Sequence, residues 1–311
     1  MNDWKSNLIN AYRLTTAPLR AWQKSSMIRS GQLPVFVLFY HRVSDQYPTP
    51  WTISCRDFEM QIDWLEQNFQ LVSLETAQQI IAGGCSRQPT LAITFDDGYA
   101  ENLEFALPLL VERRIPVTYF VTLGNILEQR PFEHDLRLGQ PLPVNSIDSI
   151  RAMVNAGIEI GAHTRNHVDL GQTSDPQVVF DEVIMSGREL AQTISQKIRY
   201  FAFPYGQSQN LNQTALQWLR EEGYHGACTT LGAANPIGVD PFQINRTHGD
   251  PLLARVKNWL SFDPRYFNAY RFDHEKHKSN ITLFPSQTDF SALSSSPSRS
   301  RCCQTQSITD P

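Results

Sequence analysis

Two short stretches of this chain carry residue types that can do acid–base or metal chemistry: Thr94-Phe95-Asp96-Asp97-Gly98 and, further on, His163-Thr164-Arg165-Asn166-His167. The apolar run 91–95 suits a buried strand, and Gly98 permits a tight turn after two consecutive carboxylates, so both acids stand where a strand ends. Burying adjacent carboxylates is costly unless a cation or hydrogen-bond donors compensate them. A metal ion would do so. The second stretch offers two imidazoles four positions apart after another apolar run, 157–162. Two His with one Asp form a three-ligand set that leaves metal positions open for water and substrate. Taken alone, Asp-Asp-Gly reads as a solvated turn and His-x-x-x-His as coincidence. Together they gain weight because both follow strands in an alternating strand–helix pattern, whose strand ends gather on one face of an α/β barrel.

The elements that must position these residues are legible in order. Residues 1–30 read as a helical arm interrupted at Pro18, and 31–34 as a turn into the strand 35–40, which ends in His41-Arg42. Ser54 can cap a helix over 56–68, where Phe58, Ile62 and Leu65 form a stripe; 71–72 is a brief strand and 74–82 a helix stopped by Gly83-Gly84. Apolar residues at helical spacing predict a helix over 100–114, bent at Pro108, followed by a strand at 117–121. Residues 124–144, with three prolines and two glycines, read as a long loop over one barrel end. Ser146 caps a helix to 155, the His-bearing strand follows, and Asp175-Pro176 opens a helix over 177–196. Strands at 200–203, 224–229 and 242–244 and helices at 210–222 and 251–260 complete about eight strands, which favours a barrel-like parallel sheet. The expected organisation is an arm at 1–33, a barrel at 34–270 and a tail at 271–311. Within the tail, 286–311 is rich in Ser, Thr, Gln and Pro and reads as disordered.

Composition narrows the class. The chain has 311 residues, 41% of them hydrophobic and 19% charged, which is ordinary for a soluble globular protein. A formal net charge of −4 leaves no basic footprint for nucleic acid. The five cysteines, Cys55, Cys85, Cys228, Cys302 and Cys303, are scattered and suggest neither a disulfide framework nor a thiolate zinc site, so a reducing compartment is expected. No secretory signal and no membrane span is recognised, which makes the cytoplasm the expected location. Trp4, Leu8, Tyr12, Leu19 and Trp22, mixed with basic residues, allow an arm that either touches a membrane surface weakly or packs on the barrel.

With these residues in place, the chain resembles the polysaccharide deacetylase family over roughly residues 34–260. The resemblance rests on Thr94-Phe95-Asp96-Asp97-Gly98, His163-Thr164-Arg165-Asn166-His167 and Tyr200-Phe201-Ala202-Phe203-Pro204-Tyr205-Gly206, three motifs in the family's order. It implies a distorted parallel (β/α) barrel of about seven to eight strands and a metal-dependent hydrolase acting on N-acetyl groups of an amino-sugar polysaccharide, oligosaccharide or glycolipid. By position it implies Asp97, His163 and His167 as ligands of one divalent ion, zinc first and cobalt, nickel or manganese as alternatives. Asp96 becomes the general base, with Pro204 and the backbone N–H of Tyr205 on the substrate and oxyanion side.

Two departures from the family pattern matter. No Leu-x-His motif supplies the general acid, but Tyr40-His41-Arg42 resembles a permuted branch in which an early strand brings that imidazole, so His41 is assigned the role. His248 is its weaker rival. Ala202 stands where many relatives carry an Arg that pairs with the base, and Arg246 is the candidate replacement. Trp51, Tyr205 and Trp259 are candidate sugar-stacking residues. Readings left open are a carbohydrate-binding or scaffold protein on the same fold, or an amidase on a small non-sugar substrate.

Overall fold

Strands with no polar face need cover on both sides, and the two longest strands among the described residues have it. In the computed structural model, which describes residues 3–232 and 234–263, β1 (Val35–Tyr40) is buried along its whole length. Next come β2 (Arg42–Val43), β3 (Thr52–Ile53) and β4 (Gln70–Val72), then β5 (Thr90–Phe95), also buried throughout. The remaining strands are β6 (Val117–Val121), β7 (Glu159–Ala162), β8 (Tyr200–Ala202), β9 (Gly226–Thr229), β10 (Gln243–Asn245) and β11 (Thr247–His248). All pairings between these strands are parallel.

The sheet runs β10-β9-β8-β7-β6-β5-β1-β11, with β4 paired to β5 beside this path and β2 paired with β3 separately. Because β10 lies on β9 while β11 lies on β1, the stretch 243–248 joins both edges and nearly closes an eight-stranded barrel, with Arg246 between its two halves. Register aligns the carboxyl ends: Tyr40 pairs with Phe95, Val121 with Ala162, Ala202 with Cys228 and Thr229 with Asn245. Residues that follow these positions, His41, Asp96, His163 and Arg246, therefore collect at one end of the barrel.

Several expectations need correction. Residues 124–144 are not one loop: they hold the helices Leu123–Glu128 and Glu133–Arg137, and buried Phe132, Leu142 and Val144 anchor them. The helix expected over 100–114 is a 3₁₀ turn, Ala100–Leu103, followed by an α-helix, Ala106–Glu112; Pro108 falls in its first turn, where a missing N–H costs nothing. The helix expected over 177–196 starts at Pro176 and contains a π turn, Asp181–Met185. The last helix is Leu253–Leu260, and β11 was not foreseen.

Capping follows the sequence signals closely. Ser54 Oγ accepts from the Asp57 N–H, and Ser146 Oγ from the Ser149 N–H, so each satisfies an orphan donor of a first helical turn. The arm consists of Asp3–Thr15 and Ala17–Ser30; it breaks at Thr16, and Pro18 sits in the first turn of the second helix rather than at an interruption. It packs on Leu253–Leu260, where Arg20 donates to the Asn258 carbonyl (2.9 Å) and side chain (2.7 Å). Trp4, Leu8, Leu19 and Trp22 stay exposed. No helix among the described residues is long and apolar enough to cross a membrane. The expectations for the tail, 271–311 with its segment 286–311, lie outside the described residues, as do Cys302 and Cys303. Cys55 and Cys228 are free thiols.

Candidate metal and catalytic site

The turn after β5 puts Asp97 in the left-handed region (φ 74°) and Gly98 at φ 98°, so the chain reverses within two residues and aims both carboxylates into the barrel mouth. Thr164, His167 and Tyr205 also take positive φ, at 60°, 56° and 61°. Each such non-glycine conformation costs on the order of 1–3 kcal/mol, and their concentration at one barrel end marks the place where the fold gives up stability for geometry.

Asp97, His163 and His167 each present a ligand atom, and these atoms lie within 4.8 Å of one another. Asp97 Oδ1 is 3.5 Å from His163 Nε2 and 3.2 Å from His167 Nε2, yet is buried without a hydrogen-bond partner. His163 Nδ1 lies 2.7 Å from the Ala202 carbonyl, an acceptor, so that nitrogen carries the hydrogen and Nε2 turns its lone pair toward Asp97. Two acceptors facing each other in a buried pocket call for a cation between them. Electrostatics favour a positive charge at this point, a proton or an ion: burial opposes a charge on His163, but Asp97 and Asp96 outweigh it and hold its pKa above the ordinary value. Asp97 is likewise pushed up by burial, yet the two imidazoles hold it well below the usual carboxylate range. The residues present fit a divalent ion.

Asp96 is satisfied differently. The Arg246 guanidinium grips it with two parallel bonds, Nη1–Oδ1 at 2.7 Å and Nη2–Oδ2 at 2.8 Å, both residues being buried. Arg246 is fixed in turn by the Thr229 carbonyl (3.1 Å), by Thr94 Oγ1 (3.0 Å) and by the Phe39 and Phe120 rings beside its guanidinium. Burial would raise the Asp96 pKa, but Arg246 overcomes it and the net direction is down. Ala202, small and fully buried, leaves the fork to come from residue 246.

His41 follows β1, its ring against Phe39 (centroids 5.5 Å) and His248 (5.7 Å), with a buried Nδ1 that has no partner. Burial lowers its pKa while Asp97 and Asp96 pull it back up, leaving a net depression. His248 is pushed down to about 4, chiefly by burial and then by His41. Trp51 lines a pocket with His41 and His248. Tyr205 is 55% exposed with its ring 5.1 Å from that of His167, and its backbone N–H has no acceptor among the described residues. Pro204 lends its carbonyl to the Gly206 N–H in the same turn. Trp259 is not brought to this site; it lies on Leu253–Leu260 beside Arg255.

The sequence reading missed a neighbouring cluster. His134 sits edge-on to Trp51 (4.6 Å) and 5.7 Å from His167, while buried Asp135 accepts from Tyr99 Oη (2.8 Å) and Trp51 Nε1 (3.3 Å). Burial pushes Asp135 up to about 6 and His134 down to about 4. The only local signal was a His between two acids, Glu133-His134-Asp135, inside a segment read as loop.

Comparison with known proteins agrees with this fold. Residues 83–227 match the polysaccharide deacetylase family model. A Bacillus subtilis chain assigned by name to the polysaccharide deacetylases is 25% identical over 254 residues, 80% of this chain and 79% of that one. A chitooligosaccharide deacetylase of Bradyrhizobium is 30% identical over 129 residues, and that match spans 40% of this chain and about half (49%) of the relative. The solved structure of IcaB from Ammonifex degensii superposes with a TM-score of 0.59 at 29% identity, covering 73% of this chain and 97% of that one. The family match and the relatives together identify residues 83–227 as a polysaccharide deacetylase domain, a hydrolase of N-acetyl amide bonds.

Proposed function

We propose that this chain is a metal-dependent deacetylase that releases acetate from N-acetylated amino sugars in a polysaccharide, oligosaccharide or glycolipid, with zinc as the ion. The observation that carries this reading is the convergence of Asp97 Oδ1, His163 Nε2 and His167 Nε2 beside a second carboxylate that Arg246 keeps ionised. Asp97, His163 and His167 would hold the ion. Once bound, it supplies a Lewis acid that makes water more acidic and polarises the acetamide carbonyl.

The chain's own groups do the rest. Asp96, ionised and fixed by the Arg246 fork, accepts the proton of the attacking water. The free N–H of Tyr205 donates to the developing oxyanion. His41 gives a proton to the amine nitrogen as the C–N bond breaks, and the products are acetate and the free amino sugar. Tyr205 and Trp51 offer apolar faces to the sugar ring. Arg246 in the place left by Ala202 weighs against a binding-only protein, since a bidentate pair that costs burial of two charges is idle unless the carboxylate is used.

The test combines metal analysis of the purified protein with acetate release from a panel of N-acetylglucosamine oligomers, polymers and glycolipids. About one zinc per chain with acetate from at least one carbohydrate is expected. Protein that takes up no divalent ion and releases no acetate across the panel refutes the reading.

A further inference from the structure

The segment between the two imidazoles is strained and gripped from both sides. Thr164 and His167 have left-handed backbones, so the segment does not hold this shape on its own account. On one side the first turn of Leu123–Glu128 donates to it: the Leu123 N–H to the Thr164 carbonyl (3.4 Å) and the Gly124 N–H to the Arg165 carbonyl (2.7 Å). Gly124 is required there, because a Cβ would stand 2.7 Å from that carbonyl oxygen. On the other side Glu182 Oε2 accepts from the Arg165 and Asn166 N–H groups at 2.9 Å each, and Oε1 accepts from Asn166 Nδ2 at 2.7 Å. Arg130 donates to Asn166 Oδ1 (2.9 Å), which fixes the orientation of that amide.

Glu182 is only 7% exposed, and among the described residues no cation pairs with it; its hydrogen-bond donors are three neutral groups. A carboxylate in that position is costly unless every lone pair is used. It sits in the π turn Asp181–Met185, inserted between the α-helical Pro176–Phe180 and Ser186–Ile194. Such turns are rare and recur where a helix must present one side chain to a site. A buried acid, a helix defect and two strained residues all meet on the same five-residue loop.

We propose that Glu182 is a positioning residue for ion binding: it clamps the backbone between His163 and His167 and so sets the separation and direction of the two imidazoles. It touches neither ion nor substrate. This rests on the metal reading above, which is checked first, by showing that the parent chain binds zinc.

The test measures the zinc dissociation constant by competition with a chromophoric chelator, and the visible absorption of cobalt-loaded protein, in Glu182→Ala, Glu182→Gln and Val179→Ala. Losing a group that supports metal ligands typically weakens binding about 10–100-fold, and Glu182→Ala should fall in that range with an altered cobalt spectrum. Glu182→Gln keeps an oxygen for the two backbone amides but loses the acceptor for Asn166 Nδ2, so it should recover most of the affinity with a cobalt spectrum between those of the parent and Glu182→Ala. Val179, buried on the same helix before the π turn, tests a merely structural role: Val179→Ala should lower the melting temperature yet leave zinc affinity within about two-fold. Zinc binding in Glu182→Ala within two-fold of the parent, or equal weakening in Val179→Ala, overturns the proposal. If Glu182→Ala does not fold, the Glu182→Gln and Val179→Ala pair decides it: the proposal then requires an altered cobalt spectrum in the first and an unchanged one in the second. A parent chain that binds no zinc would instead remove the metal reading, a distinct failure.

Discussion

Asp96 and Asp97 are chain neighbours with the same slight exposure, 2%, and the molecule compensates them in opposite ways. Asp96 faces the half of the barrel mouth built by β1, β5 and the closing stretch 243–248, where Arg246 matches it oxygen for oxygen. Asp97 faces the half built by β7 and the loop after it, where its partners are imidazole nitrogens and Oδ1 stays unsatisfied. One half is complete as protein. The other leaves a buried acceptor, which on the proposed reading a cation would complete. Two adjacent acids can thus hold separate roles, because a proton acceptor needs a compensated but metal-free carboxylate while a ligand needs an uncompensated one.

The largest effects should follow from crossing that division. His163→Ala with His167→Ala should abolish both zinc and activity, read by elemental analysis and acetate release, while Asp96→Asn should keep the zinc and lose activity by about 10²–10⁴-fold. Full zinc occupancy in the double His variant would end the ligand assignment. His41→Ala should cost a similar factor on an acetamide, and far less on an activated acetate ester whose leaving group needs no proton. Equal losses on both substrates would make His41 structural and move attention to His248.

Next in size is the pair on the complete side. Arg246→Met leaves a buried, unpaired Asp96 and should cost about 3–5 kcal/mol of stability, read from urea unfolding. Arg246→Lys should recover only part of it, since an ammonium cannot reproduce the fork. The sign with pH is also fixed. Asp96 has its pKa lowered in the folded chain, so it contributes stability above its unfolded value near 3.8 that is lost as pH falls through the folded one. In Arg246→Met that contribution disappears. A variant as stable as the parent would show that the pair is not what compensates Asp96.

What could be seen in the sequence divides along similar lines. Asp96, Asp97, His163 and His167 were legible because local patterns announce them: an apolar run, a turn-permitting glycine and two imidazoles four positions apart after a second apolar run. Arg246 was legible as a residue at a strand end, but its bond to Asp96 spans 150 positions and depends on barrel closure. β11 escaped notice because its two residues become a strand only by lying on β1. The helices Leu123–Glu128 and Glu133–Arg137 were hidden by prolines and by lengths too short for a period to show, although Phe132 and Leu142 bury themselves there. Nothing local marks the π turn. It is visible only where Glu182 meets the loop it supports.

The smallest expected effect concerns His248, which belongs to the complete half and faces His41, Asp96, Asp250 and Arg255. Burial, then repulsion from His41, lowers its pKa from 6.5 to about 4. Above pH 6.5 the imidazole is neutral in both folded and unfolded chains and has no effect. Between 6.5 and 4 the unfolded chain takes up a proton that the folded chain refuses, so stability falls with pH across this window and the fall levels off below about 4. Allowing for partial solvent screening, the loss is on the order of 1–2 kcal/mol. His248→Gln should remove that part of the acid-side loss, measured as the change in urea midpoint between pH 7 and 4.5. The comparison is best made with His163→Ala and His167→Ala already in place, so that release of an ion on acidification contributes nothing. If His248→Gln loses as much stability as its own background over this interval, the imidazole is better solvated than its burial implies, and its neutral state ceases to be a reason to prefer His41 as the proton donor.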